Sequence, residues 1–387
     1  MMACGVGGLY LPFFPRWLEA RGMVGLRLGV IAAVAPAMGV FAPTVFGALA
    51  DTLRVRRGLL QLACAGALLT FGALTAAAAL GVPLRFGVLF LVALFFALFR
   101  SPMGFIADVV AIELAPAVGT SYGRLRLWGS LGFIAAVLPA SRYVDPGASL
   151  VFPAVTTAVV AAALLASLRL PAPPLPEAAH GPKSSAWQSL LCGDFRLFLL
   201  AVFLGQAGHV AYDLCFSMHL VDLGAQPMTV GLGWALGTGS EVLLMAYSAP
   251  VFRALPEPQL FALALGAASV RWALIAAVRS PALLLALQPL HALSFGLCWL
   301  ASVSYVSRRF PSSSLATGQG LFATATGAGS VVGMLAWGSA YHRAGGASVF
   351  AAASCLSALA CGIALALDRK VRPRTREPAV EGASAAE

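Results

Sequence analysis

Charge is what this sequence has least of. Only 10% of its 387 residues are Asp, Glu, Lys or Arg, against 60% from the set AVILMFWYC, and the mean hydropathy is +0.87. A soluble domain carries about 25% charged residues, so this chain cannot cover a water-facing surface of its size. Intrinsic disorder, a nucleic-acid-binding domain and a soluble enzyme are excluded, and the composition fits a bilayer as solvent. Asparagine is absent altogether, which removes any N-glycosylation acceptor. Lysine occurs only at Lys183 and Lys370, against 23 arginines, and with the Ala-rich runs this points to a GC-rich, bacterial genome. The seven cysteines form no C-x-x-C pair and no metal spacing, so they read as small apolar residues in helices. No basic segment precedes the first apolar stretch, so no cleavable signal peptide is expected. A Walker motif and H-E-x-x-H are missing too, which disfavours an ATP-driven pump, and no metal or cofactor is expected.

What is present is a series of apolar runs, each near the 20 residues that a membrane helix needs. Twelve are predicted, at 3–18, 28–50, 58–80, 86–112, 123–141, 148–168, 196–220, 229–252, 259–278, 281–306, 317–341 and 347–367. The first is short for a full crossing, so it is tilted, capped by protein, or begins upstream of Met1. With both termini cytoplasmic, 16 of the 25 Lys and Arg lie on the inner face and 7 on the outer, while Arg100 and Arg271 fall inside spans. That bias satisfies the positive-inside rule and accounts for most of the +10 net charge without nucleic acid. The Pro-rich polar stretch 169–195 reads as a central cytoplasmic linker. It separates an N-terminal six-helix bundle, 1–168, from a C-terminal one, 196–368, and 369–387 reads as a disordered cytoplasmic tail.

An ionisable group inside a span is costly unless it is paired or lines a cavity, so each one is a functional candidate. At 1.5 Å per residue, His209 lies about 20 Å along its span, Glu241 and Arg271 about 18 Å, and His291 about 15 Å. All four fall near the midplane of a core about 30 Å thick. Glu241, Arg271 and His291, on three consecutive spans, can form a mutually compensating cluster. They suit proton coupling, with Glu241 loading and releasing the proton, or a structural ion pair. Asp213 and His219 follow His209 near the outer end and can be solvated. Asp108 and Arg126, on the antiparallel fourth and fifth spans, can pair; Arg100 can pair with Asp108 or snorkel. In the loop after the second span, Gly47 allows close helix approach, Asp51 can act on a helix terminus or an Arg, and Arg54, Arg56 and Arg57 suit an anionic inner leaflet. The G-x-S-x-G match at 119–123 joins two apolar helices and is no nucleophile elbow. Gly329 and Gly333 read as a helix-packing pair.

Two six-helix halves about a central loop are the layout of a major facilitator transporter. Three stretches resemble that superfamily: Gly8–Leu18 (GLYLPFFPRWL), the Gly47–Arg57 loop, and Tyr122–Ser130 (YGRLRLWGS). They are similar to its branch of lactose permease, nucleoside/proton symporters and phenylpropionate permeases. The phenylpropionate type is nearest, through Gly205–Phe216, Val270-Arg271-Trp272 and Gln288 to His291. The resemblance implies an all-α, polytopic, non-enzymatic secondary transporter working by alternating access. It would be a monomer in the bacterial inner membrane, using the proton as coupling ion and moving a small organic solute such as an aromatic carboxylate. A sugar or nucleoside symporter, an exporter, or a non-transporting sensor are the alternatives. The implied substrate site is Asp108, Arg126, Phe133, His209 and Gln288; the implied coupling set is Glu241, Arg271 and His291; and Gly47, Asp51, Arg54, Arg56 and Arg57 form a gating loop. Phe133 stands where the sugar group has a Trp, Ser294 where it has a proton-carrying Glu, and Gln288 where it has a Lys. Galactoside specificity is therefore not expected, and Glu241 becomes the candidate proton carrier.

Overall fold

The computed structural model describes residues 1–53, 56–114, 122–143, 150–170, 193–310 and 315–371. These form twelve helices in two sets of six. The first set is α1 (Met2–Glu19), α2 (Leu26–Leu53), α3 (Arg56–Ala79), α4 (Phe86–Leu114), α5 (Tyr122–Tyr143) and α6 (Val151–Leu168). The second opens with α7 (Gly193–Asp222), α8 (Pro227–Ala246) and α9 (Glu257–Ala277). It closes with α10 (Pro281–Arg309), α11 (315–344) and α12 (346–371). Gly345, at φ 72°, turns the chain between α11 and α12, a backbone state that costs glycine little. Seven helical stretches among the described residues are long and apolar enough to cross a bilayer, and one of them, 317–371, holds both α11 and α12. The linker at 171–192 and the tail from 372 lie outside the described residues.

The short first span is capped by protein. Its 18 residues reach only about 27 Å at 1.5 Å per residue. Yet Val6, Leu9, Trp17 and Leu18 are almost fully buried, because α5, α6 and α7 surround the helix. Glycine makes that enclosure possible: a Cβ on Gly8 would come within 2.5 Å of the Phe133 carbonyl oxygen on α5. In the C-terminal half, Gly329 and Gly333 do the same for α11 against α7, where Trp337 Nε1 donates to the Ala207 carbonyl at 2.6 Å. Lipid cannot drive helix association as water does, so such close backbone contacts and interhelical hydrogen bonds do it instead. Two departures from the predicted spans follow from backbone chemistry. Helix α8 breaks at Tyr247 and resumes as a short turn over Ser248–Ala254. In α10, Pro289 has no N–H to donate, and the helix tightens to a 3₁₀ turn over Gln288–Leu290, then widens to a π-type turn over Ala292–Leu297.

The halves meet where α1, α5, α7 and α11 end and α2 and α8 begin, and α2 stays packed on α11 as far as Val40 and Gly327. At those helix ends Gly338 on α11 packs on Gly29 of α2, and Gly231 on α8 packs on Ser141 of α5. Nearby, Tyr341 donates a hydrogen bond to Asp222. A Cβ at Gly338 would lie only 2.7 Å from the Gly29 Cα. Gly338→Val should therefore pry this end apart. A cysteine placed at Val24, beside that contact, should react faster with a soluble maleimide in the Gly338→Val chain; an unchanged rate would contradict this role for the contact.

Candidate functional site

The two central helices of the C-terminal half that carry Arg271 and His291 are α9 and α10. Arg271 is fully buried; both its terminal nitrogens are hydrogen-bonded, while its Nε has no hydrogen-bond partner in the protein. One terminal nitrogen donates to Ser294 Oγ at 3.1 Å and meets His291 Nδ1 at 2.7 Å; the other donates to Gln288 Oε1 at 2.8 Å. The guanidinium carbon also lies 4.4 Å from the Tyr212 ring centroid and 4.7 Å from that of Trp272. Gln288, equally buried, accepts a second hydrogen bond from the Tyr212 hydroxyl at 3.1 Å and donates to the Leu284 carbonyl at 2.8 Å. The 3₁₀ turn and the π-type turn that follows it in α10 set Gln288, His291 and Ser294 around one guanidinium.

Glu241 on α8 completes the chain, with Oε1 2.5 Å from His291 Nε2. The protonation pattern follows from donor arithmetic. A guanidinium has no acceptor, so His291 Nδ1 must accept from Arg271. A neutral His291 therefore carries its proton on Nε2 and donates it to Glu241. A cation and an anion are thus joined through a neutral imidazole, each compensating the other inside an apolar bundle. Two glycines let α8 come close enough. Gly237, one turn before Glu241, has His291 ring atoms 3.4 Å from where a Cβ would stand, and Gly296 has Glu241 Cγ at 3.5 Å.

The other sequence-predicted residues are placed as follows. His209 on α7 stacks on Phe295 at 4.8 Å and has its ring centre 5.7 Å from that of His291, so it adjoins the network. Phe133 lies on α5, against α1 and 6.2 Å from the Trp234 ring on α8. Arg57 donates to the Leu168 carbonyl at 2.7 Å, tying α3 to the end of α6. The side chains of Asp108, Arg126, Gly47, Asp51, Arg54 and Arg56 lie outside the described residues. Gln288 and Arg271 are enclosed by protein, so in this conformation they hold the network together and meet no open cavity. His219 is buried against Phe350 and Gly346, not solvated as the sequence allowed. Asp213 faces a cavity between the halves. The sequence reading missed Tyr212, Gly237 and Gly296. The signals were a Tyr three residues after His209, a Gly four before Glu241, and a Pro two before His291.

Residues 2–352 match the family described as "MFS_1 like family". The chain belongs to that family. This major facilitator transporter is 31% identical over 311 residues to the "Probable 3-phenylpropionic acid transporter" of Escherichia coli (strain K12), covering 78% of this chain and 79% of that one. It is 28% identical over 272 residues to the "Maltose permease" of Geobacillus stearothermophilus, covering 70% and 67%. Its fold matches a crystal structure of a point mutant of the nucleoside transporter NupG, with TM-score 0.83 at 17% identity over 95% of this chain and 97% of that one. It also matches the human organic anion transporter MFSD10, with TM-score 0.61 at 18% identity over 94% and 96%. As a major facilitator protein it is a multi-pass membrane transporter of small solutes.

The network orders the cost of two conservative changes. Gln288→Leu leaves a buried N–H of Arg271 without its acceptor, which costs about 2–3 kcal/mol. Tyr212→Phe removes one neutral hydrogen bond, about 1 kcal/mol. Thermal unfolding in detergent should show the larger loss for Gln288→Leu; the reverse order would contradict this account of Arg271.

Proposed function

We propose that this transporter carries a small aromatic carboxylate in symport with a proton, with both termini cytoplasmic, in the inner membrane of a bacterium. The observation that carries the reading is the buried Arg271–His291–Glu241 chain. As long as Glu241 is ionised, the chain is electrically balanced through a neutral His291. A proton arriving on Glu241 removes the negative end, and Arg271 must then find compensation elsewhere. That gives protonation a reason to change how α8, α9 and α10 pack, which is the link that coupling needs. With the termini inside, the packed end formed by Gly29, Gly338, Gly231 and Ser141 is the outer one, and the conformation faces inward.

The cargo class rests on two supports. The relative in Escherichia coli is named for 3-phenylpropionic acid. The inter-half cavity is lined largely by apolar and aromatic side chains, including Tyr10, Phe14, Leu214 and Met334, which suits a ring better than a sugar. No cofactor other than the proton enters this mechanism, which asks for one chain and no covalent chemistry on the solute. Glu241→Gln fixes the neutral state of the carboxyl. Proton-driven accumulation in proteoliposomes should be abolished in that variant while counterflow exchange persists. Accumulation equal to the parent's would remove Glu241 from the coupling role.

A further inference from the structure

Arg100 and Asp213 stand outside the network, and both line one cavity of about 280 Å³ between the halves. Helices α1, α2 and α4 form one wall, and α7 and α11 form the other. Among the described lining residues these two alone bear a guanidine or a carboxyl group, and they come from opposite halves. No ion pair joins them among the described residues. Asp213 Oδ1 is 3.8 Å from His209 Nε2, beyond hydrogen-bond length.

The Arg100 side has unmet hydrogen-bonding capacity. Arg100 Nε and the Tyr10 hydroxyl are both buried without a protein partner, although Tyr10 is only 5% exposed. The Arg100 guanidinium carbon is 5.3 Å from the Tyr10 ring centroid, and that ring stacks on Phe14 at 4.4 Å. A half-buried guanidinium whose Nε is buried without a partner is costly inside a membrane protein, and a carboxylate is the partner whose geometry it fits. A hydroxyl beside it can donate to the same anion. Across the cavity, an ionised Asp213 can only accept hydrogen bonds, so what meets it must donate.

We propose that this cavity binds a bipolar aromatic acid, with its carboxylate on Arg100 and Tyr10, its ring beside Tyr10 and Phe14, and a hydroxyl or ammonium donor at its far end on Asp213. The inference rests on the transport reading above and narrows its cargo. A ligand of this kind touches both halves at once, so its two poles report the distance between α4 and α7. An acid without the distal donor satisfies Arg100 but leaves Asp213 with only the 3.8 Å contact to His209.

The test is equilibrium binding to the purified full chain in detergent, with no proton gradient. The probes are 3-phenylpropionate, 3-(4-hydroxyphenyl)propionate, 3-(4-aminophenyl)propionate, 3-(4-(aminomethyl)phenyl)propionate and the neutral 3-phenylpropan-1-ol. In the parent, at least one donor-bearing acid should bind about tenfold or more tightly than 3-phenylpropionate, as expected for a hydrogen bond to a charged group. Arg100→Gln should weaken every acid about tenfold or more and leave the alcohol within about twofold. Asp213→Leu should erase the advantage of the distal donor and leave 3-phenylpropionate within about twofold. Arg100→Lys keeps the charge without the fork and should weaken the acids by an intermediate factor, which serves if Arg100→Gln does not fold. Acids that bind Arg100→Gln as tightly as the parent, a donor advantage that survives Asp213→Leu, or a parent that binds none of the acids would each overturn the proposal. Since no gradient is present, a failure of Glu241 as coupling site would leave these ratios untouched and would be seen only in uptake.

Discussion

A guanidinium in the interior of a membrane protein must be compensated, and Arg271, whose two terminal nitrogens are both hydrogen-bonded, is the charge around which the C-terminal half is arranged. Ser294, His291 and Gln288 are brought to it by one irregular stretch of α10, and Tyr212 and Trp272 cover its faces. The irregularity has a chemical origin in Pro289, which interrupts the regular hydrogen-bond ladder. A straight α10 would hold its side chains at regular 100° steps; the widened turn over 292–297 resets that spacing just after His291. The counter-charge is placed by glycine: Gly237 and Gly296 let α8 pack close, so that Glu241 reaches His291.

The same economy governs the fold. Glycine-mediated backbone contacts fasten α1 to α5, α7 to α11 and α2 to α11, where hydrophobic burial has little to offer between helices in lipid. Within each half the helices pack extensively, and between the halves α2 packs on α11 from Gly29–Gly338 as far as Val40–Gly327. In the seam between the halves, one cavity is lined by Arg100 from α4 and Asp213 from α7.

How much of this the sequence disclosed depended on how rare the informative residue type was. Charged and imidazole groups are scarce in the spans, so Glu241, Arg271 and His291 could be picked out singly, and the structure brings them together. Helix number and order followed from apolar run length. Residues whose meaning depends on neighbours were harder to read. Gln288 looks like a polar group available to a solute, and only the fold shows that it is hydrogen-bonded to Arg271 and Tyr212 in this conformation. Tyr10 and Asp213 gave no sign that they share a cavity, because their proximity depends on how α1 and α7 cross. Gly237 and Gly296 are two glycines among 40, and the sequence alone does not say which of them carry a close approach.

The central claim is that Arg271 and Glu241 communicate through a neutral His291 whose proton sits on Nε2. Nitrogen-15 NMR of histidine-labelled protein reads this directly, with the His291 signals assigned by difference against a His291→Gln chain. With Glu241 ionised, the account predicts a pyrrole-type Nε2 bearing hydrogen and a pyridine-type Nδ1. A hydrogen on Nδ1, in either the neutral tautomer or the imidazolium, would contradict it.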